Sequence, residues 1–83
     1  MIQFIIIQGF VNIIPLKEEH FKKMIIPITH NTIIVENKDK VSYPKVNTII
    51  SEKNDITHIF CIEKIEDIML QINNFKKGDK NGK

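Results

Sequence analysis

His58 and Cys61 form an H-x-x-C pair in this sequence, and imidazole and thiolate are both zinc ligands. A structural zinc takes four ligands; His20 and His30 are the other histidines, and there is no second cysteine. The pair also sits in T-H-I-F-C-I, an apolar run of strand length, where residues three apart point to opposite faces and cannot grip one ion. No metal site is expected. Cys61 as a nucleophile would need an electropositive, partly exposed setting. It lies instead between Phe60 and Ile62, just before Glu63, so it reads as a small apolar core residue.

The paired carboxylates do not point to catalysis. Glu18 with Glu19 and Glu66 with Asp67 are sequence neighbours, and neighbours on a helix diverge by about 100°, so neither pair converges on one bond. Gly9, Gly78 and Gly82 fit no phosphate-binding glycine spacing. No catalytic residue and no cofactor is expected, and the chain does not read as an enzyme. Lys38, Lys40, Lys45 and Lys53 flank polar turns near Tyr43, where lysines could touch phosphates. Against this, arginine, the usual reader of guanine, is absent, and the net charge is only +2 with acids interleaved. Nucleic acid is therefore the second expectation, as weak, salt-sensitive contact through lysine-rich loops.

The elements that must position these residues are constrained by length. An 83-residue chain is a single domain that buries roughly 60 to 65% of its unfolded surface, too little to enclose a large cleft. Its 42% apolar fraction is enough to fold. Isoleucine, asparagine and lysine dominate while alanine and arginine are absent. That is the imprint of an AT-rich coding sequence, and it suggests a bacterium, a phage or another mobile element. Physically, β-branched isoleucine without alanine favours strands.

The start, MIQFIIIQGFVNIIPL, carries no positive charge, is interrupted by Gln3, Gln8 and Asn12, and falls short of the roughly 18 to 20 apolar residues of a membrane span. No membrane association is expected, and a lone cysteine suits a reducing compartment, so the expected location is the cytoplasm. With a period of two, Ile5, Ile7, Gly9, Val11 and Ile13 make one apolar face, and Phe4, Ile6, Gln8, Phe10, Asn12 and Ile14 a mixed one. Residues 2–14 are either one strand bent at Gly9 or two short strands.

In the next stretch, Glu18 with Lys22 and Glu19 with Lys23 are i,i+4 pairs in the order that favours a helix. Pro15 suits a first turn and Pro27 a stop. The spacing predicts a helix over 16–25, with a strand over Met24–Ile28 as the alternative. The middle, NTIIVE, VSYPKVNTII and ITHIFCI, reads as three strands separated by polar clusters. Pro44 lacks a ladder donor and marks its strand as an edge or a bulge. The third run, apolar on both faces, reads as a central strand. From Ile65 the spacing becomes Ile65, Ile68, Met69, Ile72, extended by Phe75, the i, i+3, i+4, i+7 stripe of a helix. Glu66 and Asp67 near its start and Lys76 and Lys77 near its end suit the dipole, and Gly78 is placed for a cap.

The expected fold is thus a small two-layer α+β domain, in the order β-α-β-β-β-α, with a mostly antiparallel sheet and the C-terminal amphipathic helix packed on it. Residues 1–77 form the domain and 78–83 a polar tail. TIIVENKDKVSY and IFCIEKIEDIMLQI, about half the chain, resemble the hairpin, strand and acidic helix of FlbD-like flagellar-operon proteins and, more distantly, LytTR DNA-binding domains. The helix lacks the small hydroxyl residue of that pattern after Glu63, and no function or residue is carried over.

Two helices do not cover both faces and both edges of such a sheet, so apolar surface should be left over for self-association or a protein partner, by strand addition among other routes. The expected function is that of a non-enzymatic accessory or regulatory protein acting by protein–protein binding. Tyr43 and Lys45, beside the expected edge strand, are the candidate contacts.

Overall fold

The computed structural model describes residues 3–11 and 21–81, with side chains to residue 74. Five antiparallel strands and one helix follow in the order β1 (Gln3–Val11), β2 (Lys22–Ile28), β3 (Thr32–Glu36), β4 (Thr48–Glu52), β5 (His58–Cys61) and α1 (Ile65–Asn81). The protein is a small α+β domain with the C-terminal helix packed on the sheet. Laterally the strands run β2-β1-β5-β4-β3, so β5 is central as its two apolar faces require.

One element differs from the expectation. Lys22–Ile28 is a strand, so the C-terminal part of the expected helix over 16–25 is replaced by the strand alternative, while residues 16–20 lie outside the described residues. Pro27 is a strand residue and not a helix stop. The ladder explains why it is tolerated. Ile62 N–H donates to the Gln8 carbonyl across the β1–β5 pairing, so even-numbered residues of β1 turn their peptide groups toward β5 and odd-numbered ones toward β2. Ile5 opposes Ile26 and Ile7 opposes Met24. The even-numbered residues of β2 therefore bond to β1, and position 27 faces outward, where a missing N–H breaks no ladder bond.

The sheet is strongly coiled. Its two edges, β2 and β3, lie four strand spacings apart, roughly 19 Å on a flat sheet. Residues 29–31 alone join Ile28 to Thr32, a link that reaches at most about 14 Å. The edges must therefore curl until they meet at this corner, although no ladder joins them. The corner is pinned by Thr32 N–H to the Thr29 carbonyl at 3.1 Å, Lys53 N–H to the Asn31 carbonyl at 2.9 Å, and the Thr29 and Thr32 hydroxyls on the two Glu52 oxygens at 3.3 and 3.0 Å. Ser51 and Glu52, expected in a turn, thus belong to β4.

Coiling encloses one face. Ile5, Ile7, Ile26, Ile50 and Cys61 fill the inside, closed by Ile68 and Ile72 of α1. Each such side chain contributes roughly 1.5–3 kcal/mol of burial before conformational entropy is set against it. Gly9 lets β1 and β5 approach, because a Cβ there would run into the Phe60 carbonyl oxygen and stand 3.1 Å from Cys61 Cα. β1 remains a single strand through it. The helix meets the core with Ile68 and Ile72, whereas Met69, on the expected stripe, is 43% exposed. Phe75 lies beyond the described side chains, and α1 continues through Gly78 to Asn81, so Gly78 is an interior residue of the helix and not its cap.

Candidate functional site

The outer face of the sheet carries a second, smaller core. Phe10 and Phe60, directly paired across β1 and β5, have ring centroids 5.6 Å apart. Phe21 and Tyr43 meet them edge-on at 5.2 and 4.7 Å. The loop between β3 and β4 covers this half of the face, with Val46 fully buried. Asn37 holds that loop in place. Its Nδ2 donates to the carbonyls of Asp39, Tyr43 and Val46 at 3.3, 3.2 and 2.9 Å, and its Oδ1 accepts the Asp39 N–H at 3.0 Å.

Pro44 stands in this loop, and β4 is an interior strand. The expectation that Pro44 marks an edge or a bulged strand is therefore corrected: the proline is a turn residue. Tyr43 is half-buried against Phe60, so its ring is an element of packing, while Lys45 is exposed. The two do not flank an edge strand. Lys40 Nζ donates to the Val46 carbonyl at 2.7 Å and to Asn47 Oδ1 at 2.6 Å, which commits its charge to the loop.

The other half of the outer face has no cover among the described residues. Phe4, Ile6 and Ile25 are 49, 48 and 64% exposed. Ile6 opposes Ile25 and Phe4 opposes the exposed Pro27 in the β1–β2 register. Four apolar residues on two strands thus make one continuous patch, flanked at the Gln8–Lys23 pair by a polar border. Ile33 and Val35, 44 and 45% exposed, lie on the outer face of β3.

A cleft of about 190 Å³ opens where the sheet coils, between the end of β2 and the β4–β5 turn. Ile26, Pro27, Ile50 and Ile59 give it apolar walls, and Glu52 and Asp55 contribute carboxylates. It is smaller than the roughly 300–1,000 Å³ of small-molecule sites.

The residues with chemical potential stand apart. His58 is exposed, its Nδ1 3.0 Å from the Ile56 carbonyl oxygen. Cys61 is fully buried and its thiol donates to the Thr48 carbonyl at 3.4 Å. Burial, with the Glu63 carboxylate adding to it, pushes the thiol up to about 12 from its ordinary value of 9.0, so it holds its proton at neutral pH. Glu66 and Asp67 are exposed on the first turn of α1. Among the described residues no three of His, Cys, Asp and Glu gather as a metal site, and no helix is long and apolar enough to cross a membrane. His20, Glu18 and Glu19 lie outside the described residues.

Sequence reasoning anticipated surplus apolar surface without locating it. The signal for half of the patch was present, since Phe4 and Ile6 fall on the mixed face of β1; Ile25 was hidden by the helical reading of its segment. No protein-family model matches this chain, and no curated protein or solved structure does so either.

Proposed function

We propose that this protein is a non-enzymatic accessory or regulatory protein of the cytoplasm that acts by binding another protein through the outer face of its β1–β2 hairpin. The observation that supports this reading is the patch of Phe4, Ile6, Ile25 and Pro27, whose two facing isoleucines are 48 and 64% exposed. Burying such a surface on a partner contributes about 25 cal/mol per Å² before the costs of association. The protonated, buried Cys61 suits a reducing compartment, where a lone thiol stays unpaired. The nucleic-acid reading is weaker because Lys40 is tied into its loop.

A photo-crosslinking residue at position 25, introduced in cells that make the protein, should trap a discrete protein adduct. The same probe at exposed Asn73 should not. Ile6→Asp with Ile25→Asp should abolish the adduct while leaving the melting temperature within a few degrees, because both side chains face outward. Equal labelling from positions 25 and 73, or an adduct that survives the double substitution, would refute the reading. Binding to random DNA that falls steeply between low and high salt would favour the nucleic-acid alternative instead.

A further inference from the structure

The two edges of the sheet are not equivalent. On β2 the outward-facing positions are Lys23, Ile25 and Pro27; a charge and a missing donor both obstruct the addition of a strand. The β3 edge has no proline, and its one charge, Glu36, stands at its C-terminal end. Lys53 N–H donates to the Asn31 carbonyl and Asn37 N–H to the Asn47 carbonyl, bracketing the β3–β4 ladder in which Ile33 opposes Ser51 and Val35 opposes Ile49. Residues 31, 33, 35 and 37 therefore bond to the β4 side, and 32, 34 and 36 turn their peptide groups outward. Thr32 N–H is taken by the Thr29 carbonyl. What the edge offers is the N–H of Ile34 and Glu36 and the carbonyls of Thr32, Ile34 and Glu36, and among the described residues no strand pairs with it.

We infer that β3 pairs with β3 of a second copy of this chain, antiparallel about a two-fold axis through Ile34. This goes beyond the reading of the β1–β2 patch and uses a different edge, so either can fail without the other. The register is chosen by the chain itself. With Ile34 opposite its own copy, the outward groups meet as hydrogen-bonded pairs: Ile34 exchanges both bonds with its copy, and each Glu36 N–H reaches a Thr32 carbonyl. A full ladder in this register would also send each Thr32 N–H to a Glu36 carbonyl, but that N–H is already held by the Thr29 carbonyl, so the pairing has four backbone bonds and not six. On the outer face Ile33, 44% exposed, then lies against Val35 of the other copy, 45% exposed, twice over, an apolar β-branched cross-strand pair. Glu36 falls opposite Thr32. Sliding the axis to Glu36 would set two carboxylates face to face, which is unfavourable. A two-fold, self-complementary contact of this kind closes on itself and does not propagate.

An edge of five residues is shorter than the interfaces of stable dimers, which bury more than about 1,200 Å², so the association is weak. Sedimentation equilibrium at up to roughly 1 mM should show a concentration-dependent shift toward twice the 9.7 kDa monomer mass. Val35→Lys, which alters an exposed outer-face side chain, should return the protein to monomer, and Ile25→Asp should leave the dimer intact. Register is tested separately by mixing Ile33→Cys with Val35→Cys. Opposed residues at a non-hydrogen-bonded position stand about 4.5 Å apart at Cα, within disulfide reach, so the mixture should cross-link under mild oxidation faster than either variant alone. The buried Cys61 takes no part. A monomer throughout the concentration range overturns the inference. So does a dimer broken by Ile25→Asp and not by Val35→Lys, or one in which the mixed cysteines link no faster than the separate ones.

Discussion

The side-chain amide of Gln71 completes the backbone pairing of Ile6. Ile6 N–H donates to Gln71 Oε1 and Gln71 Nε2 donates to the Ile6 carbonyl, both at 2.8 Å. The arrangement follows from where β5 stops. Beyond Ile62, whose N–H meets the Gln8 carbonyl, the chain turns into α1, leaving the Gln8 N–H and both peptide groups of Ile6 on β1 without a strand beside them. The Gln8 N–H is taken by both Glu63 carboxylate oxygens at 3.0 and 2.9 Å, and about two turns further along, in α1, a glutamine supplies what a peptide would. The helix thus closes an edge as well as a core, a known way to keep strands from pairing with other chains.

Gln71→Ala should lower stability by about 1–2 kcal/mol, two partly solvated hydrogen bonds, or roughly 4–15 °C in melting temperature for a domain of this size. Gln71→Glu should be worse at neutral pH, because a carboxylate keeps the acceptor and loses the donor toward the Ile6 carbonyl. Its deficit should shrink as the pH falls toward about 4, where a protonated carboxyl offers both again. Thermal melts of the two variants across pH test this. Equal deficits at all pH values would show that the pairing with Ile6 carries no weight.

Ile68 is fully buried between the coiled sheet and α1. Ile68→Ala should cost about 2–4 kcal/mol through lost burial and the cavity left behind. A domain of 83 residues has roughly 4–12 kcal/mol in all. Ile68→Asp places an unpaired charge at the same point and should leave the chain unfolded by circular dichroism at 25 °C. A cooperative melt retained by the aspartate variant would mean that α1 is not docked.

Periodicity made legible what is locally encoded. The alternation of Ile5, Ile7 and Gly9, the central β5 and the helix face of Ile65, Ile68 and Ile72 appear in the structure, because in each the burial pattern of one segment suffices, whereas Met69 of the expected stripe and Ile56 of the expected strand are exposed. The second element was misread since its cues compete: acid–base pairs at helical spacing run into Met24, Ile25 and Ile26, and Pro27 breaks a helix as well as it marks an edge. The sheet's coil, the Glu52 clasp with Thr29 and Thr32, and the task of Gln71 could not be read at all. Each depends on residues 20 to 65 positions apart. The candidate contact Tyr43, expected beside an edge strand, packs its ring on Phe60 in a loop instead, a contact between residues 17 positions apart that no local pattern announces.

Cys61 should make stability fall at high pH. Its thiol is raised to about 12 in the folded protein against 9.0 when exposed, so between these values the folded state holds a proton that the unfolded state has released. The contribution is full below pH 9 and is lost as the pH rises toward 12, by up to about 1.4 kcal/mol per unit. Urea unfolding at pH 8 to 10.5, compared with Cys61→Ala, isolates this slope, since the two proteins differ only at the thiol. Parallel pH profiles for the two would show that the thiol is not held protonated by burial.

Asn37 should decide whether the outer-face cover stays closed. It is 3% exposed, and its Nδ2 serves three carbonyls of the loop that carries Tyr43 and Val46. Asn37→Ala removes one donor from three carbonyls, each of which keeps another, Asp39 from the Tyr43 N–H, Tyr43 from the Val46 N–H and Val46 from Lys40 Nζ, for an expected loss of about 1–2 kcal/mol. Asn37→Asp also turns a carboxylate toward the same carbonyls and should lose more at neutral pH than below about pH 4. Tyr43 is the only tyrosine and there is no tryptophan, so the near-ultraviolet dichroism of its ring against Phe60 reports the loop directly. In the alanine variant that band should fade at a lower temperature than the far-ultraviolet signal of the sheet, since the loop can open while the inner core of Ile5, Ile7, Ile50 and Ile68 holds. Coincident transitions in the variant would mean that the loop and the sheet unfold as one unit and that Asn37 does not act as a separate latch.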